Sequence, residues 1–72
     1  MNSEIHLLDV VALIEDLPER GLRRGQVGTV VELLAPDVFE VEFSDDQGRT
    51  YATLALAARQ LMTLHHQPVQ VP

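Results

Sequence analysis

Within residues 38–43, the side chains from Phe39 to Phe43 alternate strictly between apolar and acidic, and no other feature of the sequence restricts the fold as strongly. Successive side chains of an extended chain point to opposite faces, so the apolar residues share one face while Glu40 and Glu42 share the other. Turn-forming residues flank the segment, with Ala35–Asp37 before it and Asp45–Gly48 after it. The pattern therefore predicts a half-buried strand that forms an antiparallel hairpin with the segment on each side.

Four more short segments are interpreted as strands. Two of them, residues 7–14 and 26–34, are rich in β-branched residues, a third follows the turn at Asp45–Gly48, and a last short one closes the sheet. Residues 55–62 instead contain good helix formers, which predicts a helical turn before the last strand. This order predicts a mainly β fold, a small five-stranded SH3-like barrel with one helical turn, of the 3-10 type, before the last strand. The predicted strands are residues 7–14, 26–34, 38–43, 49–54 and 62–64, with a long irregular loop after the first.

The apolar faces of these strands predict one core, formed by Val10, Ala12, Val30, Phe39, Val41, Phe43, Leu54 and Leu61. The glycines are predicted to serve the backbone rather than a ligand, because their spacing matches neither the dinucleotide fingerprint nor the phosphate-binding loop. Gly28 lies inside a predicted strand, which predicts either a positive φ or a neighbouring backbone packed against its Cα. The structural glycines are Gly21, Gly25, Gly28 and Gly48.

The chain has 72 residues, which corresponds to one domain. We predict an N-terminal arm (residues 1–6), a barrel domain (residues 7–64) and a flexible C-terminal tail (residues 65–72). A core of this size contributes only about 3 to 5 kcal/mol, so weak homo-oligomerisation or a partner is expected to add stability. Neither a signal sequence nor an apolar run of about 20 residues is recognisable, so we expect a cytoplasmic protein that does not enter a membrane.

No catalytic, metal-binding or cofactor-binding residue is predicted. The chain contains no cysteine, which removes disulfides, thiolate zinc sites and thiol nucleophiles. A group of carboxylates at Asp9, Glu15, Asp16 and Glu19 lies mostly in the predicted loop, where a solvated charged surface is the simpler interpretation. The adjacent histidines near the C-terminus would point apart on an extended chain, which disfavours a shared metal ion.

Charge gives the best indication of a binding surface. Eleven acidic residues and five basic ones, all arginine, give a formal net charge of −6, which argues against a nucleic-acid partner. Arg20, Arg23 and Arg24 form a basic cluster in the predicted loop. They either form internal ion pairs with the loop carboxylates or bind the carboxylates or phosphates of a partner. The face that carries Glu40 and Glu42 is a second candidate, which suits a basic partner.

Three motifs follow one another in the chain: Leu17-Pro18-Glu19, a block from Gly25 to Val31 with a second glycine at its centre, and Gly48-Arg49-Thr50. Together with the flanking strands, over about residues 7 to 64, they resemble the bacterial family catalogued as domain of unknown function 4926. The resemblance implies a small bacterial protein with an SH3-like fold and no established activity, and it implies no catalytic residue. The glycine block is also similar to KOW domains and to the SH3-like domain of the nitrile hydratase β-subunit.

The sequence therefore favours a non-enzymatic protein-interaction or accessory module, such as an immunity or antitoxin-like partner of another protein. The alternative is a KOW-like module that contacts nucleic acid through the loop arginines and Arg49. An enzyme is third, because no nucleophile lies in a recognisable catalytic context.

Overall fold

The structure, a computed structural model, describes residues 5–65. Most of the predicted N-terminal arm (residues 1–6) and of the predicted flexible tail (residues 65–72) lies outside the described residues. The described chain forms strands joined by one long connection, after the first strand, and by shorter ones elsewhere; the long connection and the last one each contain a single 3-10 turn. These elements are β1 (Val10–Leu13), η1 (Pro18–Arg20), β2 (Val27–Ala35), β3 (Val38–Ser44), β4 (Thr50–Ala57), η2 (Ala58–Gln60) and β5 (Leu61–Thr63).

All paired strands are antiparallel and lie in the order β4-β3-β2-β1-β5. This confirms the mainly β fold, the five-stranded sheet and the 3-10 turn before the last strand. Closure into a barrel is not detected, because no main-chain ladder joins β4 to β5 within residues 5–65. β4 and β5 are therefore the two edges of the sheet.

β3 has the alternation that the sequence predicts. Phe39, Val41 and Phe43 are buried on the inner face, whereas Glu40 and Glu42 are half-buried on the outer face. β3 pairs with β2 on one side and with β4 on the other, so its inner side chains lie at the centre of the core.

β1 is shorter than predicted, with Val10–Leu13 in the strand rather than residues 7–14. Leu8 has a φ of 71°, and the Asp9 carboxylate accepts the main-chain N–H of His6 at 2.8 Å. This turn separates the preceding residues from the strand, because a positive φ is incompatible with extended backbone. The prediction failed because the apolar leucines there gave no indication of the turn.

β4 extends three residues beyond its predicted end, so the predicted helical turn over residues 55–62 is wrong for Ala55–Ala57. It is also wrong for Leu61 and Met62, which begin β5 one residue before its predicted start. Ala55, Leu56 and Ala57 pair with residues of β3, and only residues 58–60 form the 3-10 turn. Alanine has a high helix propensity, but pairing with β3 and burial of Leu56 override it.

All the predicted core residues except Val10 are buried, and all except Val10 and Ala12 join the core cluster. Val10 is only half-buried, because β1 presents its odd-numbered residues to the core and Val10 pairs with Thr29 on the outer face. Ala12 is buried on that outer face, opposite Val27 on one side and Met62 on the other. The core cluster is Val11, Leu13, Leu17, Leu22, Val30, Phe39, Val41, Phe43, Leu54, Leu56 and Leu61.

Candidate functional site

The predicted arginine cluster lies on the connection between β1 and β2, residues 14–26, here called the arginine loop. Leu17 and Leu22 form an antiparallel bridge in this loop, with N–H to O distances of 2.9 Å and 3.1 Å. Both leucine side chains are buried and join the core cluster. The loop is therefore anchored to the sheet rather than free in solvent.

The tip of the arginine loop is one turn of 3-10 helix. Pro18 occupies the start of the turn, where its missing N–H and fixed φ are favourable. Gly21 ends the turn with a φ of 70° and donates its N–H to the Pro18 carbonyl at 3.1 Å. Glycine adopts this left-handed conformation without steric cost, and the result is a tight tip that exposes Arg20.

The base of the loop is held by hydrogen bonds to main-chain groups. Gly25 donates its N–H to the Leu13 carbonyl at 2.8 Å, and Leu13 donates to the Gln26 carbonyl at 3.0 Å. The main-chain N–H of Arg24 donates to Oδ1 of Asp16 at 2.8 Å. The backbone that carries the arginines is therefore fixed at both ends.

The guanidinium groups of Arg20, Arg23 and Arg24 are exposed. Within residues 5–65 none of them forms a hydrogen bond or an ion pair with another side chain. Asp16 binds the backbone of Arg24 instead, and Glu15 accepts a hydrogen bond from the Gln60 amide at 2.8 Å. The internal ion pairs considered from the sequence are thus not formed among the described residues.

Tyr51 extends this surface, although no pattern in the sequence predicts that it lies there. Its hydroxyl accepts a hydrogen bond from Nε2 of Gln26 at 3.0 Å, and Oε1 of Gln26 accepts the main-chain N–H of Arg23. The Tyr51 ring lies 6.4 Å from the ring of Phe43, which links it to the core, yet 47% of its surface is exposed. Tyrosine and arginine are the residues most enriched at the centres of protein interfaces.

An open depression of about 530 Å³ lies at the base of the arginine loop. Asp16, Arg23, Arg24, Gly25 and Gln26 line it. Its walls are mostly polar, which suits a charged segment of a partner better than an apolar small molecule.

A second charged surface lies on the outer face of the sheet. Glu32 of β2 is directly opposite Glu40 of β3, and Glu42 lies two residues further along β3. Carboxylates directly opposite one another in a ladder repel. No arginine or histidine forms an ion pair with these three glutamates within residues 5–65, and we call them the glutamate row.

Of the two alternatives predicted for Gly28, the close approach of a neighbouring backbone is confirmed, whereas a positive φ is not observed. A Cβ at this position would lie 2.7 Å from Cγ1 of Val41 and 2.9 Å from the carbonyl oxygen of Glu42. Both distances are shorter than van der Waals contact, so only glycine fits between β1 and β3. The remaining structural glycines have positive φ values and nothing near an added Cβ: Gly21, Gly25 and Gly48.

Residues 5–65 contain neither a metal-ligand cluster nor a membrane-spanning helix. No group of three or more histidine, aspartate or glutamate side chains is close enough to hold a metal ion there. None of the helices in that part of the chain is long and apolar enough to cross a membrane.

Comparison with known proteins identifies a family. The model of the family described as Domain of unknown function (DUF4926) matches residues 7–63, which is more than half of the chain. The chain belongs to the DUF4926 family. No curated protein and no solved structure matches this DUF4926 domain. The matched residues include the whole arginine loop, Tyr51 and the glutamate row, so both candidate surfaces lie inside the family domain.

Proposed function

We propose that this DUF4926 domain is a non-enzymatic protein-interaction module, and that the arginine loop is its binding surface for an acidic segment of a partner. We further propose that the sheet is the framework of an SH3-like barrel, in which the connection after the first strand borders the ligand groove. The strand order and the 3-10 turn before β5 support this arrangement.

The observation that carries the proposal is the set of guanidinium groups without internal partners in a chain of formal net charge −6. The chain has eleven acidic residues, yet within residues 5–65 the one hydrogen bond between these arginines and a loop carboxylate is made by the main-chain N–H of Arg24 to Asp16. Guanidinium groups form paired hydrogen bonds with carboxylates, and here the loop backbone that carries them is anchored by hydrogen bonds of its own. Exposed arginines beside an exposed tyrosine are typical of a protein-binding surface.

The test compares the wild-type chain with a triple variant, Arg20→Ala, Arg23→Ala and Arg24→Ala, and with Arg59→Ala as the matched control. Arg59 is an exposed arginine of η2 outside the loop. Each protein is titrated with a glutamate-rich peptide and used to capture the partner from a lysate of the source organism. We expect the triple variant to lose both interactions while Arg59→Ala keeps them.

Equal capture by all three proteins would contradict the proposal, and so would loss of the folded state in the triple variant. A parallel titration with single-stranded RNA and duplex DNA addresses the KOW-like alternative. Phosphate contacts give an affinity that falls steeply as salt is added. Tight, salt-sensitive binding of either nucleic acid through the same arginines would favour that alternative over a protein partner.

A further inference from the structure

The two edges of the sheet differ in length and in chemistry. β5 has three residues, which limits it as a template for another strand. β4 has eight residues, Thr50–Ala57, and none of them is charged. Natural proteins block exposed edges with short strands, charges or prolines, and β4 has none of these.

The register shows which main-chain groups of β4 face away from the sheet. Ala58 donates its N–H to the Asp37 carbonyl at 2.8 Å, in step with the β3–β4 ladder. Antiparallel pairs alternate between bonded and non-bonded, so Leu56 and Leu54 bond to β3 while Ala57, Ala55 and Thr53 point their N–H and C=O groups outward.

One of these outward groups already has a partner. The N–H of Ala57 donates to Oε1 of Gln60 at 2.8 Å, which closes that end of the edge. Thr53 and Ala55 have no further strand beside them within residues 5–65. Their N–H and C=O groups are thus arranged to pair with one additional strand.

The glutamate row indicates the chemistry of that strand. Glu42 is directly opposite Thr53, and Glu40 is directly opposite Ala55. The short side chains of Thr53 and Ala55 leave the glutamates open toward the edge. A strand added to β4 would place every second side chain on the same face as these carboxylates. The backbone of the added strand would lie two inter-strand distances, or roughly 10 Å, from the backbone of β3.

A second copy of the chain is a poor occupant, because each copy has a formal net charge of −6 and β4 offers no basic residue to another copy's glutamate row. We propose that the β4 edge binds an extended segment of a partner protein that has Lys or Arg at every second position. Main-chain hydrogen bonds to Thr53 and Ala55 supply the pairing, and Glu40 and Glu42 select the basic side chains. This surface is separate from the arginine loop, and neither proposal depends on the other.

The test uses a synthetic peptide of about ten residues that alternates lysine with threonine or valine. A peptide of the same composition with its lysines in one block is the control for charge alone. We expect the alternating peptide to bind the wild-type chain, to lose affinity as salt rises, and to protect the amide hydrogens of Thr53 and Ala55 from exchange. The blocked peptide should give neither protection nor comparable affinity.

Two pairs of variants separate strand pairing from charge. Thr53→Pro removes an outward N–H without touching the β3 ladder, and Thr53→Ala keeps that N–H. We expect Thr53→Pro to weaken peptide binding by about tenfold or more and Thr53→Ala to leave it nearly unchanged. The double variant Glu40→Gln, Glu42→Gln should bind the alternating lysine peptide no better than the blocked one. Its affinity for the glutamate-rich peptide, which tests the arginine loop, should stay the same as that of the wild type.

The proposal is overturned if Thr53→Pro remains folded and binds as well as the wild type, or if the two peptides bind equally. A concentration-dependent dimer that Thr53→Pro abolishes, without peptide binding by the wild type, would show that a second copy occupies the edge instead. Should Thr53→Pro unfold, the exchange measurement on the wild type decides, and unprotected Thr53 and Ala55 amides at saturating peptide would reject strand addition.

Discussion

β3 and the arginine loop are both fixed to the rest of the domain, but by different interactions. Strand pairing and alternating buried side chains hold β3, whereas main-chain hydrogen bonds and two buried leucines hold the loop. β3 pairs with a strand on each side, and every second side chain enters the core. The loop has one bridge, between Leu17 and Leu22, and only these two side chains are buried, while its arginines stay in solvent. Substitutions of the buried β3 side chains should therefore lower the free energy of unfolding. In the loop, the two leucines should determine stability and the arginines should determine binding.

The largest effect is expected at the centre of β3. Phe43 is fully buried, and Phe43→Ala should reduce the free energy of unfolding by about 3 to 5 kcal/mol through lost burial and a residual cavity. A loss of this size is comparable to the whole free energy of unfolding expected for such a small domain. Urea denaturation measures the change, with Phe43→Leu as a milder control. An unchanged unfolding midpoint would show that the register of β3 is wrong.

The loop should respond almost as strongly at its anchor. Leu22 is 1% exposed, and Leu22→Ala should cost about 2 to 4 kcal/mol, because the site cannot collapse fully around the smaller side chain. Urea denaturation again gives the value. Arg23→Ala, at the next position, is the matched control and should be close to neutral. A neutral result for Leu22→Ala would mean that the loop is not anchored to the core.

Gly28 tests how tightly β3 packs against its neighbours. Gly28→Val should destabilise by about 1 to 3 kcal/mol or more, since the added atoms overlap Val41 and the backbone of Glu42. Thr29→Val, at the next position of β2, controls for strand propensity. Thermal unfolding of both variants makes the comparison. Equal melting temperatures would contradict the close approach at Gly28.

On the outer face a small gain is expected. Glu32→Gln removes the like-charge pair with Glu40, and it should raise the free energy of unfolding by about 0.2 to 1 kcal/mol. The gain should shrink as salt is added, because salt screens exposed charges. Glu19→Gln, at the loop tip, provides a control without an opposed carboxylate. A loss of stability on removing Glu32 would indicate that the glutamates are not in repulsive contact.

The smallest change in stability is expected for the loop arginines. Replacing Arg20, Arg23 and Arg24 together by Ala should shift the free energy of unfolding by less than about 0.5 kcal/mol, because their side chains have no partner within residues 5–65. Urea denaturation of the same triple variant as in the binding test measures it. A cost of several times that size would reveal a structural role and remove the difference between the two regions.

The sequence predicts β2 and β3 to within one residue at each end, because β-branched residues and strict alternation agree with the final pairing. It fails at Ala55–Ala57, where local helix propensity and tertiary pairing disagree. It also gives no indication that Leu17 and Leu22 are buried, since a bridge inside a loop has no periodicity. Tyr51 was missed for a similar reason, because its contact with Gln26 joins residues that are distant in the chain.

The Leu17–Leu22 bridge has a consequence for engineering. Residues 18–21 begin and end at one bridged pair of residues, so the tip is a closed turn whose two ends enter and leave the core side by side. Lengthening a closed turn costs little entropy, only about 0.6 kcal/mol for each doubling of its length. A library of sequences and lengths inserted between the two leucines would therefore present different recognition surfaces on one unchanged sheet.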